Sequence, residues 1–297
     1  MIKIFAHNDF HVERYYSTGI YRYYSGFLRF MFGWIPFSLG DLLYFSAGFW
    51  LLWKLIANIR LLFGKKLSRP LLYQKIAKLA LLMGSIYILF NLEWGLNYNR
   101  KGIAWQLHLK TQPYDTADLA LIEGQLLQKV NHTKEILVKD KDSYPSRKEL
   151  FSRAESCYHH TSDSLPFLSY RNLSVKSSLY GKLGDYLGFT GYYNPFTGEA
   201  QVNTTVPQFL RPYVTLHEMG HQLGYAKEDE ANFSGYLAAA FGQDTLFQYS
   251  AYLDLFVYAN RELFYMDSTA AKRYARQLSP TVIEDLKEWR KFNQKYS

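Results

Sequence analysis

Two histidines four residues apart, with a glutamate directly after the first, form the most reactive pattern in the chain: His217-Glu218-Met219-Gly220-His221. On a helix, four residues return to within about 40° of the starting direction, so both imidazoles face one point, as two ligands of one zinc ion must. Glu218 stands about 60° from His221, beside such an ion rather than on it. A carboxylate there suits removal of a proton from a metal-activated water. Catalytic zinc takes three protein ligands and keeps a fourth position open. The acidic run Glu228-Asp229-Glu230 offers the third. Glu228 and Asn232 share a helical face, whereas Glu230 is about 200° round from Glu228, so only one of the two glutamates can meet the histidines. Cys157 is the single cysteine, which excludes a multi-thiolate site and an intrachain disulfide framework. His159 and His160 are adjacent and diverge by about 100°, which makes them poor co-ligands.

These residues need rigid carriers, and the local sequence supplies them. Pro212 is tolerated in a first helical turn and Gly224 is a natural stop, so the spacing predicts a helix of about three turns carrying both histidines. The segment KEDEANFSGYLAAAFG predicts a second helix, ending at Gly242. Upstream, YLGFTGYYNPFTGEAQVN predicts a hairpin that turns at residues 194–198 and returns as Glu199 to Asn203, while Asn172 to Leu179 alternates as a strand does. Helical spacing runs from Tyr114 to Val138, with Asp115 or Thr116 as N-cap, and again from Arg147 to His160. The expected class is α+β, mostly helical with a small sheet.

HEMGH followed by EDEAN resembles the zincin metallopeptidases, in which HExxH gives two ligands and the base, and a later helix with a Glu-x-x-Ala-Asp/Asn pattern gives the third ligand. The resemblance implies a zincin-like fold, one Zn²⁺ on His217, His221 and Glu228, Glu218 as general base, and Asn232 as a partner of the ligands. Membrane helices followed by GYYNPFTGEAQVN and HEMGHQLGYAKEDEANF are more closely similar to a bacterial membrane-protein family known only as a domain of unknown function with a zincin-like signature. That similarity covers most of the chain and implies no substrate. Here six residues separate His221 from Glu228, fewer than in other zincins of the Glu-ligand type. Lys227 occupies the metzincin third position and cannot ligate when charged, so the bend at Gly224 must replace a longer insertion. In zincins a strand before the HExxH helix pairs with extended substrate. Glu199, Ala200, Gln201, Val202 and Asn203 hold that place in chain order, and an exposed edge there could add a peptide. Tyr192, Tyr193, Tyr225, Tyr252 and Tyr258 are all candidates by type to stabilise an oxyanion.

The net charge of +8 is local: residues 1–99 hold eleven Lys/Arg against four Asp/Glu, while the other 198 residues hold 23 against 22. A near-neutral C-terminal part without a basic stripe argues against nucleic-acid binding. Within 1–99, residues 42–62 and 76–95 read as transmembrane helices, and Arg60, Lys65, Lys66, Arg69 and Lys75 crowd the connection with no acidic residue from Asn58 to Asn91. Core helices of a soluble protein rarely flank a loop of one charge sign. The positive-inside rule places the loop in the cytoplasm and residues 100–297 outside, as the extracytoplasmic zincin-like domain of a multi-pass protein of the bacterial inner membrane. Residues 13–36 mix aromatics with Arg14, Arg22 and Arg29, as an interfacial segment does. No cleavable signal is visible at Met1, and if this topology holds the chain begins outside, which is odd unless a spanning segment lies upstream. The expected function is hydrolysis of a peptide or protein substrate at the bilayer surface. The alternative is a non-catalytic, metal-stabilised envelope scaffold or sensor domain. An intact Glu218 favours the enzyme, because a structural site has no use for a base.

Overall fold

The computed structural model describes residues 2–64, 68–140 and 143–296. Lys65 and Lys66 of the basic connection, and residues 141–142 after the long helix, lie outside the described residues. The chain is mostly helical around one three-stranded sheet.

A π-helical stretch, Val12–Ile20, leads into α1 (Tyr21–Phe32). Two helices of 25 residues follow, α2 (Leu39–Phe63) and α3 (Arg69–Glu93). At 1.5 Å per residue each reaches about 37 Å, enough to cross a hydrocarbon core of about 30 Å. Their most apolar stretches bury nothing inside the protein, and Phe45, Phe49, Trp53 and Leu81 are all exposed. Side chains of this kind left bare on two long helices point to membrane association. The ends of α2 and α3 that face the rest of the protein are fixed by it. Ser38 Oγ accepts from Asp41 N (2.9 Å), and the Glu199 carboxylate accepts from Leu39 N (3.1 Å) and Gly40 N (2.6 Å), so an anion closes the N-terminus of α2.

Beyond α3 come α4 (Thr116–Asp140), capped by the Asp115 carboxylate on the N–H groups of Ala117 and Asp118, and α5 (Arg147–Ser164). The strand expected over Asn172–Leu179 is confined to β1 (Val175–Ser177), because Asn172 takes a positive φ of 61° and breaks the extended run. After α6 (Gly181–Leu187) the hairpin forms as β2 (Gly191–Asn194) and β3 (Glu199–Val202). The strand order is β1-β3-β2, with β1 parallel and β2 antiparallel to β3.

This order corrects the substrate-strand expectation. β3 is the central strand, paired along both edges, and Glu199, Ala200, Gln201, Val202 and Asn203 are fully buried. Its backbone has no free hydrogen-bonding row to offer a peptide. Glu199 and Gln201 instead serve the start of α2: Gln201 Nε2 donates to Ser38 Oγ (3.0 Å). Asn203 Nδ2 binds the Gly181 carbonyl (3.0 Å) and Asp185 Oδ1 (2.8 Å).

The sheet lies against α7 (Arg211–Gln222), which is followed by α8 (Glu228–Phe241), α9 (Thr245–Met266), α10 (Ser268–Ala275) and α11 (Pro280–Tyr296). Leu216 and Met219 on α7 are fully buried among Tyr158, Phe247 and Ala238. Each such side chain contributes about 1.5–3 kcal/mol relative to exposure. Gln222, also fully buried, ties the end of α7 to the sheet layer through Ser174 O (3.0 Å) and Gly198 O (2.8 Å). A second core joins α4 to α9 through Leu126, Val130, Leu253 and Phe256.

Candidate metal centre

α7 carries His217, Glu218 and His221, and its end is set by Gly224, whose φ of 86° only glycine adopts without cost. The space is closed as well, since a Cβ there would lie 2.8 Å from the Tyr21 ring and 3.0 Å from Asn97 Oδ1. The chain reverses in three residues and restarts as α8 at Glu228. This tight bend supplies what a longer insertion would otherwise do.

The result is convergence of three side chains. Glu228 Oε2 lies 3.2 Å from His217 Nε2, Glu228 Oε1 lies 3.7 Å from His221 Nε2, and one donor atom from each residue falls within 4.8 Å of the others. Two ligands at about 2.0–2.1 Å on tetrahedral zinc stand roughly 3.3 Å apart, so the two Glu228 spacings match one ion, while the widest separation in the group must close by side-chain rotation for all three to bind it. The other ring nitrogens are committed. His221 Nδ1 is 2.7 Å from the Tyr225 carbonyl, which can only accept, so a neutral His221 keeps its lone pair on Nε2. His217 Nδ1 is 2.8 Å from Asn232 Oδ1, which gives His217 the same tautomer. Asn232 therefore orients the His217 ring from behind.

Glu230 faces elsewhere. Its Oε2 accepts from Ile103 N (2.6 Å), fixing the short helical turn Ile103–Gln106. Only Glu228 of the two meets the histidines.

Burial and charge differ sharply across the group. The His217 and His221 side chains are 15% and 8% exposed and that of Glu228 is 78% exposed, so the centre opens to solvent on the Glu228 side. Hydrogen bonds to His217, then to His221, hold the Glu228 carboxyl well below the usual carboxylate range. Burial opposes protonation of His217, but the hydrogen bond to Glu228, the charges of Glu218 and Glu228, and Asn232 outweigh it and raise its pKa. Glu218 is buried, and its Oε2 has no hydrogen-bond partner among the described residues. Burial raises the Glu218 pKa, His217 and His221 pull it back, and Glu228 adds to the rise. A buried carboxylate oxygen left unpaired beside two histidines costs stability, and a polar occupant of the space between them would satisfy it. β2 begins with glycine against this side chain: a Cβ at Gly191 would overlap Glu218 Oε1 and lie 2.7 Å from Glu218 Cδ, so the carboxylate would have to move.

Several neighbours carry no local signal in the sequence. Trp94 follows α3 and donates from Nε1 to the His221 carbonyl (3.2 Å), with its ring 6.1 Å from the imidazole and 5.4 Å from Tyr193. Tyr98 packs on Trp94 at 5.3 Å, and burial followed by the Glu228 charge raises its pKa. Asp254 on α9 is pushed up to about 6 by burial, against a lowering effect of His217. Among the tyrosines expected as oxyanion candidates, the Tyr192 hydroxyl is bound to Asp41 and that of Tyr225 to Gln106 (2.8 Å). Tyr252 lies in the α4–α9 core, Tyr258 is exposed, and Tyr193 accepts from the Tyr21 hydroxyl (3.3 Å) beside Trp94.

The N-terminal segment also reaches this centre. Gln222 O, one residue past His221, accepts from Tyr21 Oη (3.0 Å) and from Arg29 Nη1 (3.2 Å). The Arg100 guanidinium, over the Tyr225 ring, pairs with Glu13 at 2.8 Å and binds the Leu223 carbonyl (3.2 Å). No curated protein and no solved structure matches the chain. One family model, described as "Protein of unknown function (DUF3810)", matches residues 16–297, from the π-helical stretch through α7 and α8 to the last residue. By that match over nearly its whole length, the chain belongs to the DUF3810 family.

Proposed function

We propose that the chain is a membrane-anchored zinc metallopeptidase. His217 and His221 would hold Zn²⁺ through Nε2 and Glu228 through its carboxylate, with Asn232 and the Tyr225 carbonyl fixing the imidazole tautomers. Zinc bound there supplies Lewis acidity, which acidifies water and polarises a carbonyl. Glu218 takes the proton of the attacking water on its unpartnered Oε2 and delivers it to the leaving amine. Burial raises its pKa above the usual carboxylate value, which favours acceptance of a proton. The observation that carries this reading is the pairing of two oriented Nε2 lone pairs and one carboxylate with a buried carboxylate oxygen that has no hydrogen-bond partner among the described residues.

An extended peptide would lie along β2, which has β3 on one edge and no strand on the other among the described residues. Gly191, at the start of β2, abuts Glu218, so a backbone laid there would pass the base. The ends of α2 and α3 that meet this unit lie on one side of the bilayer, and the basic connection between the two helices lies on the other. The positive-inside rule then sets the centre on the outer face of a bacterial inner membrane, with two passes.

The test is a pair of variants. Glu218→Gln is expected to keep zinc and fold while losing at least about 10²-fold in turnover of a substrate found by a cleavage screen on the full chain. His217→Ala should lose metal and turnover together. The scaffold or sensor reading takes over if Glu218→Gln fully complements a deletion strain while His217→Ala unfolds the protein, since metal-binding energy is then folding energy.

A further inference from the structure

The face of α1 that meets the C-terminal unit holds a cavity of about 370 Å³ with an unusual electrostatic balance. Arg22, Arg29, Arg100 and Arg171 line it, and none of its lining residues is acidic. Arg100 is neutralised by Glu13. Arg29 is not: it is 4% exposed, stacks on Tyr170 at 5.0 Å, and gives Nε to Arg171 O (3.0 Å) and Nη1 to Gln222 O (3.2 Å). Its partners are carbonyls, and no carboxylate lies within ion-pair distance of Arg22, Arg29 or Arg171 among the described residues. A buried cation without a counter-charge is costly unless an anion completes it. Guanidinium groups suit phosphate, which they bind through parallel N–H donors.

A second groove of about 540 Å³ continues from this cavity and shares Arg29, Phe30 and Asn172 with it. Its remaining walls are apolar, including Met31, Trp34, Ile35 and Leu173, and it runs toward the start of α2 at Leu39. Phe30 and Trp34 are 66% and 79% exposed, at the level where the chain enters its first membrane-length helix. A phosphate pocket joined to an apolar groove at that depth matches the two chemical halves of a phospholipid.

We propose that these joined cavities bind one phospholipid of the surrounding bilayer, with its phosphate against Arg22, Arg29 and Arg171 and an acyl chain along Phe30, Met31 and Trp34. Three cations with no acidic lining select an anionic headgroup over a zwitterionic one. The site is separate from the metal centre and does not depend on the peptidase reading.

The test is titration of the full-length chain in a neutral detergent, read by native mass spectrometry, with three probes: dioctanoyl-phosphatidylglycerol, dioctanoylglycerol and glycerol 3-phosphate. One phosphatidylglycerol per chain is expected, with each of the other two probes at least tenfold weaker. The double variant Arg22→Gln/Arg171→Gln should weaken the lipid at least tenfold, about 1.4 kcal/mol. Both side chains are exposed, so an unchanged melting temperature without lipid certifies the fold. Trp34→Ala is expected to weaken the lipid and leave glycerol 3-phosphate unchanged. Equal affinity for glycerol 3-phosphate would mark a site for soluble or peptide-borne phosphate, and equal affinity for dioctanoylglycerol a merely greasy groove. Either result overturns the proposal, as does wild-type lipid affinity in both variants.

Discussion

Glu228 and Glu230 are two positions apart on one helix, and the structure gives them opposite jobs that thermal unfolding can separate. If free zinc stands at 100 times its Kd, binding stabilises the folded chain by about 2.7 kcal/mol. For a domain of this size, roughly 2–4 °C per kcal/mol turns that into a zinc-induced rise in Tm of about 5–11 °C. Glu228→Ala removes the carboxylate that stands 3.2 Å and 3.7 Å from the two Nε2 atoms. Loss of a ligand should exceed the 10–100-fold typical of groups that merely support one, so Kd rises at least about 100-fold. Kd then equals the free zinc, the stabilisation falls to about 0.4 kcal/mol, and the rise shrinks to about 1–2 °C. Glu230→Ala breaks the 2.6 Å bond to Ile103 N instead. Losing a charged hydrogen bond costs about 1.5–3 kcal/mol, so its Tm should fall by about 3–12 °C with or without zinc while the zinc-induced rise stays intact. The assay is unfolding of the detergent-purified chain after chelation, with and without added zinc, alongside metal content by mass spectrometry. A zinc-induced rise that survives Glu228→Ala and vanishes in Glu230→Ala would refute the ligand assignment.

Three further outcomes follow from particular contacts. Gly191→Ala should displace the Glu218 carboxylate and depress turnover at least tenfold with zinc content unchanged, and wild-type turnover would show that β2 does not constrain the base. Glu123 is buried between α4 and α9, where burial pushes its pKa up to about 7 against the lowering effect of Asn260. A folded pKa above the unfolded value near 4.3 means that its favourable contribution is complete below about pH 4 and lost as pH rises through 7. Glu123→Gln should therefore be more stable than wild type at pH 8, by up to about 3 kcal/mol, with the advantage gone by pH 4, as denaturant titration at the two pH values would reveal. For orientation, Ser68→Cys between α2 and α3 should resist an impermeant thiol reagent in intact cells, and the buried native Cys157 keeps the background low. Ready labelling would invert the topology.

The sequence by itself determined the features whose physics is local. Capping and periodicity bracketed α7, α8 and the hairpin, and helical phase alone put His217 and His221 on one face and Glu228 opposite to Glu230. Composition marked α2 and α3, since a long apolar run with at most two charges is legible without knowledge of the fold. Tertiary structure decided what lies across the chain. Nothing near residue 199 announces that β3 is central or that the Glu199 carboxylate caps a helix beginning 160 residues earlier. Edge and centre differ only by which strands arrive on either side, and a pairing register leaves no trace in a four-residue strand. Trp94, Tyr21 and Arg29 reach the end of α7 from more than 120 residues away, where sequence carries their types but not their neighbours. Even the choice of tautomer at His221 rests on a carbonyl that the bend at Gly224 turns back toward the ring. The convergence of His217, His221 and Glu228 was legible because a helix repeats every 3.6 residues; the pocket that orients them was not, because close packing joins residues by shape, and shape exists only once the chain has folded.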